Sequence, residues 1–144
     1  MSSESFARNA HSVGINAYHL EWCTKFRFKT LAKESHLNDC ERSVRAAAER
    51  HGIRLLELSV MPEHVHAVAE LSQCMSPARA VGLLKGASAY DLFRSHPNFR
   101  KLYPRGSFWS RGYFYRSVSD ASLDVVRHYV RYDNDPRQQT LAAY

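Results

Sequence analysis

Cysteine is scarce: the chain of 144 residues has three, Cys23, Cys40 and Cys74. An odd number spread this widely excludes a disulfide framework and any C-x-x-C zinc or redox motif, so a reducing, intracellular setting is expected. Long apolar runs are missing too. No stretch approaches the roughly 20 residues of a membrane span, and the N-terminal MSSESFARNAHS has no apolar core for a signal peptide. The expectation is a soluble, cytoplasmic protein with no membrane partner. Acidic residues are in deficit, 14 against 20 Lys and Arg, for a net charge of +6. That balance favours a polyanionic partner, nucleic acid above all, although many ordinary soluble domains are equally basic. No internal repeat or low-complexity stretch is present. With 44% hydrophobic residues, the chain suits one compact domain over 1–144.

Hydrophobic periodicity divides the chain into seven elements after a loose tail over 1–11. Residues 13–24 alternate as a half-buried strand. Leu37, Cys40, Val44 and Ala47 or Ala48 recur at helical spacing, and Gly52 follows as a C-cap. Residues 53–60 and 64–71 read as two strands of a hairpin broken by Met61-Pro62-Glu63. Ser76 and Pro77 open a second helix as N-cap and first helical residue. Residues 108–118 read as a fourth strand. A last helix over 119–135, capped by Ser119 or Asp120, carries an apolar stripe of Leu123, Val126 and Val130 and ends before Pro136. The order βαββαβα predicts an α+β fold, a ferredoxin-like or RRM-like antiparallel sheet with helices on one face. Fold alone does not decide function.

His64 and His66 are two apart in a strand, so both side chains leave one face and can share a single cation. The Met-Pro-Glu turn before them predicts a position at an exposed rim. The alternative is a pair of ordinary imidazoles, since eight histidines make one such spacing unsurprising. In the last helix Tyr129 and Asp133 lie one turn apart, aiming a phenol and a carboxylate the same way. Tyr129 could equally be an amphipathic core-edge residue. A phenol with a pKa near 10 needs activation to attack phosphorus. An ion held by His64, His66 and Asp133 would supply it by withdrawing charge from a phosphodiester oxygen.

The chain resembles the single-tyrosine HUH transposases, the small TnpA enzymes of bacterial and archaeal insertion sequences. The resemblance runs through YHLEWCTKFR (18–27), VMPEHVHAVAEL (60–71), LLKGASAYDLF (83–93), FWSRGYFYRSV (108–118) and VVRHYV (125–130). It implies a metal-dependent enzyme that cleaves and rejoins single-stranded DNA through a 5′-phosphotyrosine intermediate, with magnesium or manganese as cofactor. By resemblance His64 and His66 are the metal-binding histidines and Tyr129 is the nucleophile of the block Arg-Tyr-Ile-Glu-Asn-Gln. Asp133 stands where that block has glutamine, the third metal ligand, and a carboxylate suits a hard divalent ion. Tyr132, three residues on, is the competing nucleophile.

The resemblance further implies a homodimer whose active sites are shared between subunits, and DNA with imperfect hairpins near the element ends. Asn134-Asp135-Pro136 is a candidate hinge for the tyrosine helix. Lys25, Arg27, Lys29, Lys85, Arg105 and Arg111, interleaved with Phe26, Phe28, Phe108 and Trp109, are candidates for phosphate contacts and base stacking. Two other readings compete. A ferredoxin-like module that binds single strands without cutting them needs neither the histidines nor Tyr129. A replication or conjugation nuclease of the HUH type fits less well, because the chain is small and its histidines precede the tyrosine.

Overall fold

The computed structural model describes residues 7–8, 13–119 and 122–132. A two-residue antiparallel ribbon, β1 (Ala7–Arg8) with β2 (Val13–Gly14), comes first. Then follow β3 (Ala17–Cys23), α1 (Glu34–Arg50), β4 (Arg54–Val60), β5 (His64–Glu70), α2 (Pro77–Ser95), β6 (Phe114–Val118) and α3 (Leu123–Tyr132). Strands β3 to β6 make one antiparallel sheet in the order β4-β5-β3-β6. With α1 joining β3 to β4 and α2 joining β5 to β6, this is the expected α+β arrangement of two strand-helix-strand halves around a hairpin. Within the expected tail, Ala7–Arg8 is strand, and the rest of 1–11 lies outside the described residues, as do Asp120, Asp133 and the candidate hinge at 134–136.

Side-chain alternation gives the sheet two different faces. Leu20 and Trp22 of β3 and Val65 and Ala69 of β5 join the main core under α1 and α2. Ala17 and Val68 join a second, smaller cluster with Val118, Leu123 and Val130. By the same alternation His19, Glu21, His64 and His66 lie on that second face. Helices therefore do not all share one face. The two crossover helices cover the first, while α3 lies against β4 and β5 on the second, because the apolar residues there also need cover from water. Leu123, Val126 and Val130 provide that grip, as their spacing predicts. Arg127 and Arg131 fasten α3 to Glu57 of β4.

Ser76 caps α2 as expected, its Oγ accepting from the Arg79 amide at 3.1 Å. The first strand is interrupted at Ile15 and Asn16, where the Asn16 amide group donates to the carbonyls of Leu71 and Ser72 at 3.1 and 2.8 Å. The fourth strand is shorter than expected, starting at Phe114 instead of 108. Before it, the segment makes only an isolated bridge, Trp109 to Thr24. The carbonyls of Ser110, Arg111 and Gly112 accept from Lys85 Nζ at 2.7, 3.3 and 3.0 Å. A side chain thus takes the place of a neighbouring strand.

Candidate metal centre and nucleophile

The hairpin between β4 and β5 sets the position of the histidine pair. Pro62 interrupts pairing, and the Met61 amide donates to the His64 carbonyl at 2.8 Å to close the turn. Amides of Thr24 and Leu31 tie the turn down by donating to the carbonyls of Glu63 and Pro62 at 2.8 and 3.0 Å. His64 and His66 leave the same face, with ring centroids 4.5 Å apart. They are not at an exposed rim. With 4% and 2% exposure, they sit in a central strand flanked by β3 and β4, on the face that α3 partly covers. His64 Nδ1 lies 3.0 Å from Glu63 Oε1, and the tautomer that donates to this carboxylate carries its lone pair on Nε2.

Strand register adds two residues that the sequence reading did not select. Glu21 of β3 pairs directly with His66, and His19 pairs with Val68, so both reach the histidine face. One donor atom from each of His19, Glu21 and His66 lies within 4.8 Å of the others, and all three residues are buried. His19 stacks on His66 with centroids 5.8 Å apart and planes at 17°. The signal was the spacing His19-x-Glu21 in a strand, the same period of two that marks His64-x-His66. Sequence could not supply the register that brings one pair against the other.

Burial holds His66 and His19 in their neutral form. It pulls His66 down to about 2, with His64 and His19 adding to the effect, and His19 down to about 4, helped by Arg116. Neutral imidazole is the form that binds a metal ion. Among the described residues, Nε2 of His19 and Nε2 of His66 are buried without a hydrogen-bond partner. Buried donors without partners, beside a carboxylate, form a nitrogen and oxygen set suited to a divalent cation.

Tyr129 comes close to this cluster. Its ring meets His19 edge-on at 5.8 Å, placing it one imidazole away from His66. Tyr129, His19, Phe114, Arg116 and Val126 line a cavity of about 490 Å³ between β6 and α3. Tyr132 does not share this position: it is 60% exposed, with its ring 4.7 Å from His128.

The basic and aromatic candidates divide into two groups. Lys25, Phe26, Arg27, Phe28 and Lys29 form a turn at the end of β3, and Lys25 and Phe26 share a surface cavity of about 120 Å³ with Arg105. Phe26 is 63% exposed, and both it and Arg27 adopt left-handed backbone conformations, with φ of 62° and 55°, which side chains other than glycine seldom occupy. Arg111 is exposed as well. Lys85 and Trp109 require correction. The Lys85 ammonium is engaged by three carbonyls, and Trp109 is buried with Nε1 donating to Ser88 Oγ at 3.0 Å. A base cannot stack on an indole that is inside the core.

Comparisons with known proteins agree with this architecture. The family described as "Transposase IS200 like" matches residues 12–133. The ISDra2 transposase TnpA of Deinococcus radiodurans is 30% identical over 120 residues, covering 82% of this chain and 84% of that protein. The transposase for insertion sequence element IS200 of Salmonella typhimurium is 25% identical over 139 residues, 92% of this chain and 88% of that one. A crystal structure assigned as a transposase of Deinococcus radiodurans superposes with a TM-score of 0.72 at 27% identity, covering 86% of this chain and 95% of the other. The fold is shared as well by a REP-associated tyrosine transposase bound to a REP hairpin, with a TM-score of 0.55 at 13% identity, over 81% of this chain and 63% of that one. The match over nearly the whole described sheet and α3, together with the first of these relatives, shows that the chain belongs to the family of IS200-like transposases.

Proposed function

We propose that this transposase cleaves and rejoins single-stranded DNA, with Tyr129 as nucleophile and His64, His66 and Asp133 as ligands of Mg2+ or Mn2+. The observation that carries the reading is the approach of Tyr129 to a buried cluster of neutral imidazoles and a carboxylate. When bound, a divalent ion supplies Lewis-acid polarisation of a phosphate oxygen at the scissile linkage. Tyr129 Oη attacks phosphorus, giving up its proton and forming a P–O bond to the 5′ side. The bond to O3′ breaks, and that oxygen takes a proton to become a free 3′-hydroxyl. Rejoining is the reverse: a 3′-hydroxyl attacks the phosphotyrosine, and the phenol is released. One phosphodiester is exchanged for another, so no external energy source is required.

DNA with hairpin ends is the proposed substrate, in keeping with the hairpin-bound relative that shares the fold. Lys25, Arg27, Lys29, Arg105 and Arg111 serve as phosphate contacts, and Phe26 and Phe28 as stacking surfaces. A homodimer, acting in the cytoplasm, completes the reading. The experiment incubates the protein with a single-stranded oligonucleotide and Mn2+. A covalent adduct that is lost with chelator and in Tyr129→Phe is expected. Binding without any adduct would instead establish the non-catalytic alternative.

A further inference from the structure

The carboxylate at Glu21 is fully buried, in the middle of a sheet, directly across from His66. Its Oε1 lies 3.1 Å from His66 Nδ1, a separation that suits either of two arrangements. One is an imidazole N–H paired with a carboxylate, but the contact falls outside hydrogen-bond geometry at His66 Nδ1. The other is the edge between neighbouring ligands of an octahedral ion. Two donors about 2.1 Å from one cation and at right angles to each other stand about 3.0 Å apart.

We propose that Glu21 is a direct ligand of the divalent ion, supplied by β3 to a seat it shares with His66 of β5. This rests on the metal-dependent reading above and deepens it by placing an anionic oxygen donor in the sheet itself. Three features converge on the assignment. Glu21 and His66 are fixed by backbone pairing of two central strands, so their separation is set without any contribution from α3. The donor atoms of His19, Glu21 and His66 are close enough to surround one ion. A carboxylate also supplies what the imidazoles lack, a hard negative oxygen that favours Mg2+ or Mn2+ over softer metals. The ion seat is then largely preformed in the sheet.

The test measures metal binding, with no DNA and no turnover. Mn2+ affinity is determined by titration with electron paramagnetic resonance on the full chain, on Glu21→Gln and on Asp133→Asn, and folding in chelator is checked by thermal unfolding. Removal of a ligand is expected to weaken Mn2+ binding roughly tenfold or more, and Glu21→Gln should show the larger loss of the two variants. Glu21→Cys then separates a ligand from a residue that merely orients His66. Loaded with Co2+, and with Cys23, which pairs with His64, replaced by Ser, it should gain a thiolate-to-cobalt charge-transfer band in the near ultraviolet that Cys23→Ser alone lacks. Unchanged Mn2+ affinity in folded Glu21→Gln, or weaker affinity with no cobalt-thiolate band in folded Glu21→Cys, overturns the assignment while leaving the metal-dependent reading intact. Failure of the unsubstituted chain to bind Mn2+ at all would overturn both.

Discussion

Lys85 lies in α2 within a sequence block that suggests a phosphate contact, and the fold gives it another task. Lys85→Met keeps the length of the stem and removes the ammonium, leaving the carbonyls of Ser110, Arg111 and Gly112 without their donor. A hydrogen bond to a charged group contributes about 1.5–3 kcal/mol net. The bonds at 2.7 and 3.0 Å are partly shielded, while the one to Arg111 at 3.3 Å is exposed to competing water. Burial lowers the pKa of the amine, so desolvation offsets part of the gain. A net loss of about 2–3 kcal/mol results, which lowers the melting temperature by about 4–10 °C for a chain of this size. Thermal unfolding followed by circular dichroism measures it. Binding of single-stranded DNA, followed against salt concentration, should keep its slope, because no phosphate contact has been removed. A melting temperature within about 1 °C of the original, together with a salt slope reduced by about one, would refute this reasoning and return Lys85 to the DNA-binding surface.

Phe26→Ala removes a ring that is 63% exposed, so unfolding should be nearly unchanged while single-strand binding, measured by fluorescence anisotropy, weakens by about 1–3 kcal/mol for the lost stacking. Val130→Ala opens a gap in the small cluster under α3, and hydrogen exchange should report selective loss of protection in α3, with a destabilisation of about 1–3 kcal/mol. Asp39 has its carboxyl held below the usual range by its hydrogen bond from His96, with Arg42 adding to the effect. The stability this contributes is fully present above the ordinary carboxylate pKa and is lost as pH falls through the lowered value. Asp39→Asn should therefore unfold with a shallower dependence on pH in the acid range, and an unchanged acid limb would contradict it.

Much of the fold was legible because periodicity and punctuation agree. Ser76-Pro77 starts α2 where capping chemistry predicts, and Pro62 breaks the hairpin where a ladder donor is missing. The histidine pair was legible for the same reason, as a period of two within one strand. What sequence could not carry was contact between strands. Glu21 meets His66 because β3 lies between β5 and β6, a relation between residues 45 positions apart along the chain. The burial of Trp109 and the engagement of Lys85 depend likewise on how the segment after α2 returns to the sheet. An aromatic or basic residue has the same letter on a surface and in a core, and only packing distinguishes them.

The most direct test of the account is the site of covalent attachment. Single-stranded DNA is trapped on the protein in the presence of Mn2+, the complex is digested with protease and nuclease, and the peptide carrying the residual nucleotide is sequenced by mass spectrometry. The account predicts a phosphodiester on the phenolic oxygen of Tyr129, absent when metal is chelated. Attachment at Tyr132, or at any residue outside α3, would contradict it.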